Sequence, residues 1–76
     1  MEGGDLMRLV LNNKNVEEYM LKQGWDEREF AKRIGVSHVQ VYRVLRGQRF
    51  PGNEFIAGMM SACENTEVGR LFKLIR

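Results

Sequence analysis

DEREFAKRIGVSHVQVYRVLRG, residues 26–47, decides the reading of this chain, because it describes two short helices joined by a tight corner. The spacing predicts a first helix over 27–34, with Asp26 as N-cap and Glu29 three residues later in a capping-box arrangement. Gly35 ends it, since glycine alone takes the left-handed backbone conformation at little cost and so lets the chain turn sharply. Ser37 then caps a second helix over 38–46, which stops at Gly47. At about 3.6 residues per turn, Val41, Val44 and Leu45 share one side of this second helix. Val39, Tyr42, Arg43 and Arg46 fall on the other, so the inward side is aliphatic and the outward side mostly basic or polar.

A short helix anchored by aliphatics and presenting arginines, a tyrosine and a bare valine has the shape to enter a DNA major groove. The stretch resembles the helix-turn-helix of the phage repressor and Cro-like family, also called the XRE or Cro/C1 type. That family's pattern is a capping residue, two further positions, Glu, Leu and Ala, then Gly-Val-Ser, and later Ile and Gly before a basic loop and Pro. The matching residues are Asp26, Glu29, Phe30, Ala31, Ile34, Gly35, Val36, Ser37, Val41, Gly47 and Pro51. The likeness covers nearly the whole chain.

The resemblance implies an all-α fold, a compact five-helix repressor-like bundle. It also implies that helix 38–46 lies in the major groove and helix 27–34 crosses the backbone. Two copies would then read the half-sites of a palindromic operator about one helical turn apart. Carried over position by position, the family's base-reading residues fall on His38, Val39, Gln40 and Arg43. Arg43 can reach the O6 and N7 acceptors of guanine with two parallel hydrogen bonds, Gln40 or His38 can bond a purine edge, and Val39 suits a thymine methyl. Ser37, Tyr42, Arg46, Gln48, Arg49 and Arg28 are the phosphate-holding set, which fixes orientation without reading sequence. For His38 and Tyr42 an ordinary surface role stays equally open.

Two positions depart from the family. Its helix 2 commonly begins with a glutamine that meets a phosphate, whereas this chain has Glu27, a carboxylate that repels phosphate unless an arginine intervenes; Arg28 or Arg49 is the expected neutraliser. Some relatives also bury an arginine–glutamate pair where this chain has Met20 and Leu45, which are expected to touch and supply an apolar contact instead.

Length and charge agree with this reading. Seventy-six residues make one small domain whose core must be efficiently packed or shared with a second copy. The single cysteine, Cys63, permits no internal disulfide, and no Cys/His cluster has zinc spacing, so neither metal nor cofactor is expected and a reducing cytoplasm is the natural setting. The opening MEGGDLMRLVL, with its apolar run broken by Arg8, reads as neither signal peptide nor membrane span. The net charge of +2 is small, but its distribution is uneven. Between Arg28 and Asn53 the basic residues Arg28, Lys32, Arg33, Arg43, Arg46 and Arg49 face only Glu29, while the other acids lie before or after that stretch.

The remaining chain fits around the motif. Residues 1–5 bury nothing and read as a disordered tail, leaving 6–76 as the single domain with its helix-turn-helix at 26–47. Residues 6–11, LMRLVL, read as a short β-strand, and its backbone groups need partners. Two readings stay open: pairing with a second copy across a two-fold axis, or packing of the aliphatics over the core. A helix over 16–23, capped by Asn15 with Glu18 in capping-box spacing, would bury Val16, Tyr19 and Met20 and stop at Gly24. Trp25 sits at the hydrophobic-staple position and should pack near Phe30 and Leu21. After the loop QRFPGN, a helix from 53 or 54 to 62 would bury Phe55, Ile56, Met59, Met60 and Cys63. A last helix over 67–75, capped by Thr66, would bury Val68, Leu71, Phe72 and Ile75.

The expected partners are double-stranded DNA and a second copy, joined through the N-terminal strand or the last helix. An alternative on the same fold is a protein-interaction module, such as an antitoxin that meets a toxin, or a co-regulator. An enzyme is not expected, since His38 sits on an outward helix face with no acidic partner to orient it.

Overall fold

The computed structural model describes residues 8–75, arranged as β1 (Arg8–Leu11), α1 (Asn13–Gln23), α2 (Glu27–Ile34), α3 (His38–Leu45), α4 (Asn53–Ala62), α5 (Asn65–Leu71) and β2 (Phe72–Ile75). The expected tail and the strand residues Leu6 and Met7 lie outside the described residues. The fold is the expected bundle of five helices, with a two-stranded sheet added to it.

The corner between α2 and α3 is built as the sequence dictates. Asp26 accepts a hydrogen bond from the Glu29 amide at 2.8 Å, and Gly35, at φ +79°, donates to the Ala31 carbonyl at 2.9 Å. Ser37 Oγ accepts from the Gln40 amide at 3.1 Å, so α3 begins at His38; it ends one residue short of the expected 46, with Arg46 as C-cap. Beneath the corner lies an apolar core drawn from β1 and all five helices, including Val16, Phe30, Ile34, Val41, Phe55, Met59 and Leu71, with no buried polar or charged side chain among the described residues. Met20 and Leu45, expected in contact, are both buried in it. Phe30 and Phe55 meet edge to face at 6.1 Å, which seats α4 on α2. Gly58 marks the closest approach of these two helices, because a Cβ there would lie 2.0 Å from the Ile34 carbonyl oxygen.

Several expectations are corrected. α1 starts at Asn13, capped by Asn12 rather than Asn15, because Asn12 Oδ1 accepts from the Asn15 amide at 3.3 Å. This leaves the side chains of Asn13 and Asn15 free to donate to the carbonyls of Leu45, at 2.8 Å, and Arg70, at 2.7 Å, tying α1 to the ends of α3 and α5. The last helix is shorter than expected. α5 runs only from Asn65 to Leu71, with Glu64 rather than Thr66 at its N-cap, and residues 72–75 leave it as β2. β2 pairs antiparallel with β1 in the register Arg8↔Ile75, Leu9↔Leu74, Val10↔Lys73 and Leu11↔Phe72. The N-terminal strand therefore has a strand partner within the chain, which neither expected reading named. Leu11 caps the core, while Leu9, Leu74 and Ile75, the last expected inward, are exposed. Met60 is also exposed and Ile56 half-buried, since the stripe of α4 narrows to Phe55 and Met59, continued by Cys63 at the helix end. Trp25 packs on Tyr19 at 5.7 Å and Phe30 at 6.2 Å, but Leu21, expected beside it, is 81% exposed.

Candidate nucleic-acid interface

α3 is fixed by its inner face. Val41, Val44 and Leu45 are buried, and the geometry of a helix then turns Val39, Tyr42 and Arg43 outward. Val39 is 55% exposed, with no core to join. Arg43 is exposed and forms no ion pair among the described residues. His38 and Gln40, in the first turn, are half-buried. The four residues expected to read bases thus occupy one helix of eight residues, His38–Leu45.

The expected phosphate-holding residues surround it. Ser37 lies at the N-terminus of α3, its hydroxyl oxygen already accepting the capping bond. Gln48 and Arg49 are exposed in the loop that leaves α3, held there by the Gln48 amide donating to the Arg43 carbonyl at 2.9 Å. Arg28 is exposed on α2. Arg46 is engaged differently from the others. One terminal nitrogen of its guanidinium lies 3.0 Å from Glu27 Oε2 and 3.3 Å from Oε1, and it also donates to the Tyr42 carbonyl at 3.3 Å. The guanidinium carbon stands 3.8 Å from the centroid of the Tyr42 ring, within cation–π range. Glu27 is therefore neutralised by Arg46, and not by Arg28 or Arg49 as expected. No local spacing points to this pair, because its members are nineteen positions apart and meet only through the angle between α2 and α3.

A family model described as helix-turn-helix, of the Cro/C1 and XRE-like type, matches residues 16–66. The chain belongs to this helix-turn-helix family. Membership makes the protein a DNA-binding helix-turn-helix regulator in the general sense. The matched span runs from α1 into α5 and leaves both strands outside it. No curated protein and no solved structure gave a match.

Two features beside the helix-turn-helix were not anticipated. Arg8 of β1 lies over the ring of Phe50 at 4.6 Å, joining the ribbon to the loop after α3. Between them a cleft of about 300 Å³ is floored by Val10, Leu11, Val44 and Pro51, with Arg49 and Lys73 among its lining. Among the described residues no group of His, Cys, Asp and Glu is placed to hold a metal ion, and no helix is long and apolar enough to cross a membrane.

Proposed function

We propose that this helix-turn-helix protein is a sequence-specific transcriptional regulator, with α3 in the major groove of double-stranded DNA. Arg43 reads a guanine edge, Gln40 and His38 bond purine edges, and Val39 meets a thymine methyl. Ser37, Tyr42, Arg46, Gln48, Arg49 and Arg28 hold the flanking phosphates. The observation that carries this reading is the division of α3: three aliphatics are buried under it, while Val39 and Arg43, which forms no ion pair among the described residues, face outward. Selection of bound duplexes from a random pool tests it. A recovered consensus with a guanine contacted by Arg43 supports the assignment, and a pool that stays random after selection overturns it.

The protein acts as a dimer on a palindromic site, in the cytoplasmic setting expected from the sequence. Support comes from the ribbon, where Leu9, Leu74 and Ile75 are exposed and each strand keeps one edge unpaired by the other. Sedimentation equilibrium should report a dimer that Leu74→Lys shifts toward monomer without lowering helix content. A wild-type chain monomeric at the concentrations that bind DNA would remove the dimer. The same apolar ribbon favours the second reading, an antitoxin or co-regulator whose protein partner covers those leucines.

A further inference from the structure

We infer that Glu27 attenuates the hold of this protein on DNA by cancelling the charge of Arg46. The inference rests on the DNA-binding reading above and names a residue that sets its strength.

Glu27 is the first residue of α2, and its side chain reaches the end of α3 to meet Arg46 on the surface that carries Tyr42 and Arg43. Both partners keep contact with solvent, at 29% exposure for Glu27 and 42% for Arg46, so an approaching phosphate meets a paired unit and not a lone cation. The pair could act in two opposite ways. It could hold Arg46 in place for phosphate, strengthening binding, or it could offset the positive charge that phosphate would otherwise find.

The contacts decide between these. Arg46 is held twice without Glu27, by the Tyr42 ring at 3.8 Å and by the Tyr42 carbonyl at 3.3 Å, so its position does not depend on the carboxylate. An exposed ion pair adds little ordering of its own. The charge effect has no such substitute: counterions are released as cations neutralise phosphates, and a carboxylate beside the cation lowers the net positive charge a phosphate meets. Only one guanidinium nitrogen is used by these partners, and the other two make no hydrogen bond among the described residues. Arg46 can therefore still reach a phosphate, but at the end of α2 where the Glu27 carboxylate stands beside it.

The test compares wild type, Glu27→Gln, Arg46→Ala, the double variant and Glu29→Gln. Each is titrated onto a selected duplex and a random duplex across a range of salt, with thermal unfolding as a check on the fold. Glu29→Gln is the control, since Glu29 pairs with Arg33 at 2.6 Å, on the side where Arg33 lies over Trp25. Glu27→Gln should tighten binding to both duplexes about fivefold near 0.1 M salt and steepen the dependence of log K on log salt by about 0.9. Arg46→Ala should weaken both and flatten that slope by about the same amount, and the double variant should bind both less tightly than Glu27→Gln, since the gain depends on Arg46. Glu29→Gln should leave affinity unchanged. A folded Glu27→Gln that binds equally or more weakly overturns the inference, as does an equal gain from Glu29→Gln, which would make the effect one of bulk charge. Wild type that binds no duplex at any salt would instead remove the DNA reading and the inference with it.

Discussion

Arg43 and Arg49 carry the same charge and are both exposed, yet their settings give them different tasks. Arg43 rises from the last turn of α3, whose buried Val41, Val44 and Leu45 fix the helix and hence the side from which the arginine leaves it. A planar fork held in a fixed direction is what discriminates one base edge from another. Arg43→Ala should therefore cost about 1–3 kcal/mol on the selected duplex and relax the preference at one base position, read by competition against single-base variants of the site. Unchanged affinity for both selected and random duplex would show that the reading face is elsewhere. Arg49 sits in the loop past Gly47, beyond the end of the helix, and lacks that fixed direction. Arg49→Ala should weaken binding to every duplex alike and flatten the salt dependence by about 0.9, with the base preferences intact. At this scale the outward face of α3 was legible, because a period of 3.6 applied to Val41, Val44 and Leu45 assigns their outward neighbours without knowledge of the rest of the fold. The partner of Glu27 was not legible, since local spacing says nothing about which residue an adjoining helix brings near.

α2 is gripped between α3 and α4, and its distance from α4 depends on one missing side chain. A Cβ on Gly58 would fall 2.0 Å from the carbonyl oxygen of Ile34 and 2.9 Å from its carbonyl carbon. These are backbone atoms at the end of α2, one residue before the corner, so they cannot turn aside as a flexible side chain could. Gly58→Ala must push the helices apart and open the packing of Phe55 on Phe30, an overpacking cost of about 1–3 kcal/mol that outweighs the better helix propensity of alanine. A lowered unfolding midpoint in urea checks this, and a midpoint equal to or above wild type would show that α4 slides without loss. Both ends of α2 and the start of α3 could be read from Asp26, Gly35 and Ser37 because caps act within a single turn of chain. The C-terminal segment could not. Val68, Leu71, Phe72 and Ile75 repeat with helical spacing, yet Phe72-Lys73-Leu74-Ile75 also alternates as a strand does. What breaks the tie is β1, which arrives from the other end of the chain with unpaired backbone groups, a contact no local pattern contains.

The ribbon brings the two ends of the chain together over the helices, and the Asn12 amide extends this closure by donating to the Leu71 carbonyl at 2.8 Å. Where α1 meets the turn between α4 and α5, the core holds two ionisable groups, Cys63 and Tyr19, that burial perturbs. Burial pushes the Cys63 thiol above its ordinary value of 9.0, with a hydrogen bond to Tyr19 acting weakly against it. Burial likewise raises Tyr19 above 10.0, opposed by the Glu64 amide that donates to its hydroxyl at 3.1 Å. Both groups are neutral when protonated, so the folded chain keeps these protons to a higher pH than the unfolded chain does. Stability from this source is complete well below pH 9.0, where neither state has ionised, and is lost as pH rises through the folded values. Urea midpoints should therefore hold steady from pH 7 to about 8.5 and then fall, the cysteine acting first because its ordinary value is lower. Cys63→Ala removes one of the two groups while keeping a small apolar residue in place, so its curve should start to fall later than that of wild type. Midpoints of wild type and variant that decline in parallel from the same pH would show that Cys63 ionises as freely in the folded protein as in the unfolded chain.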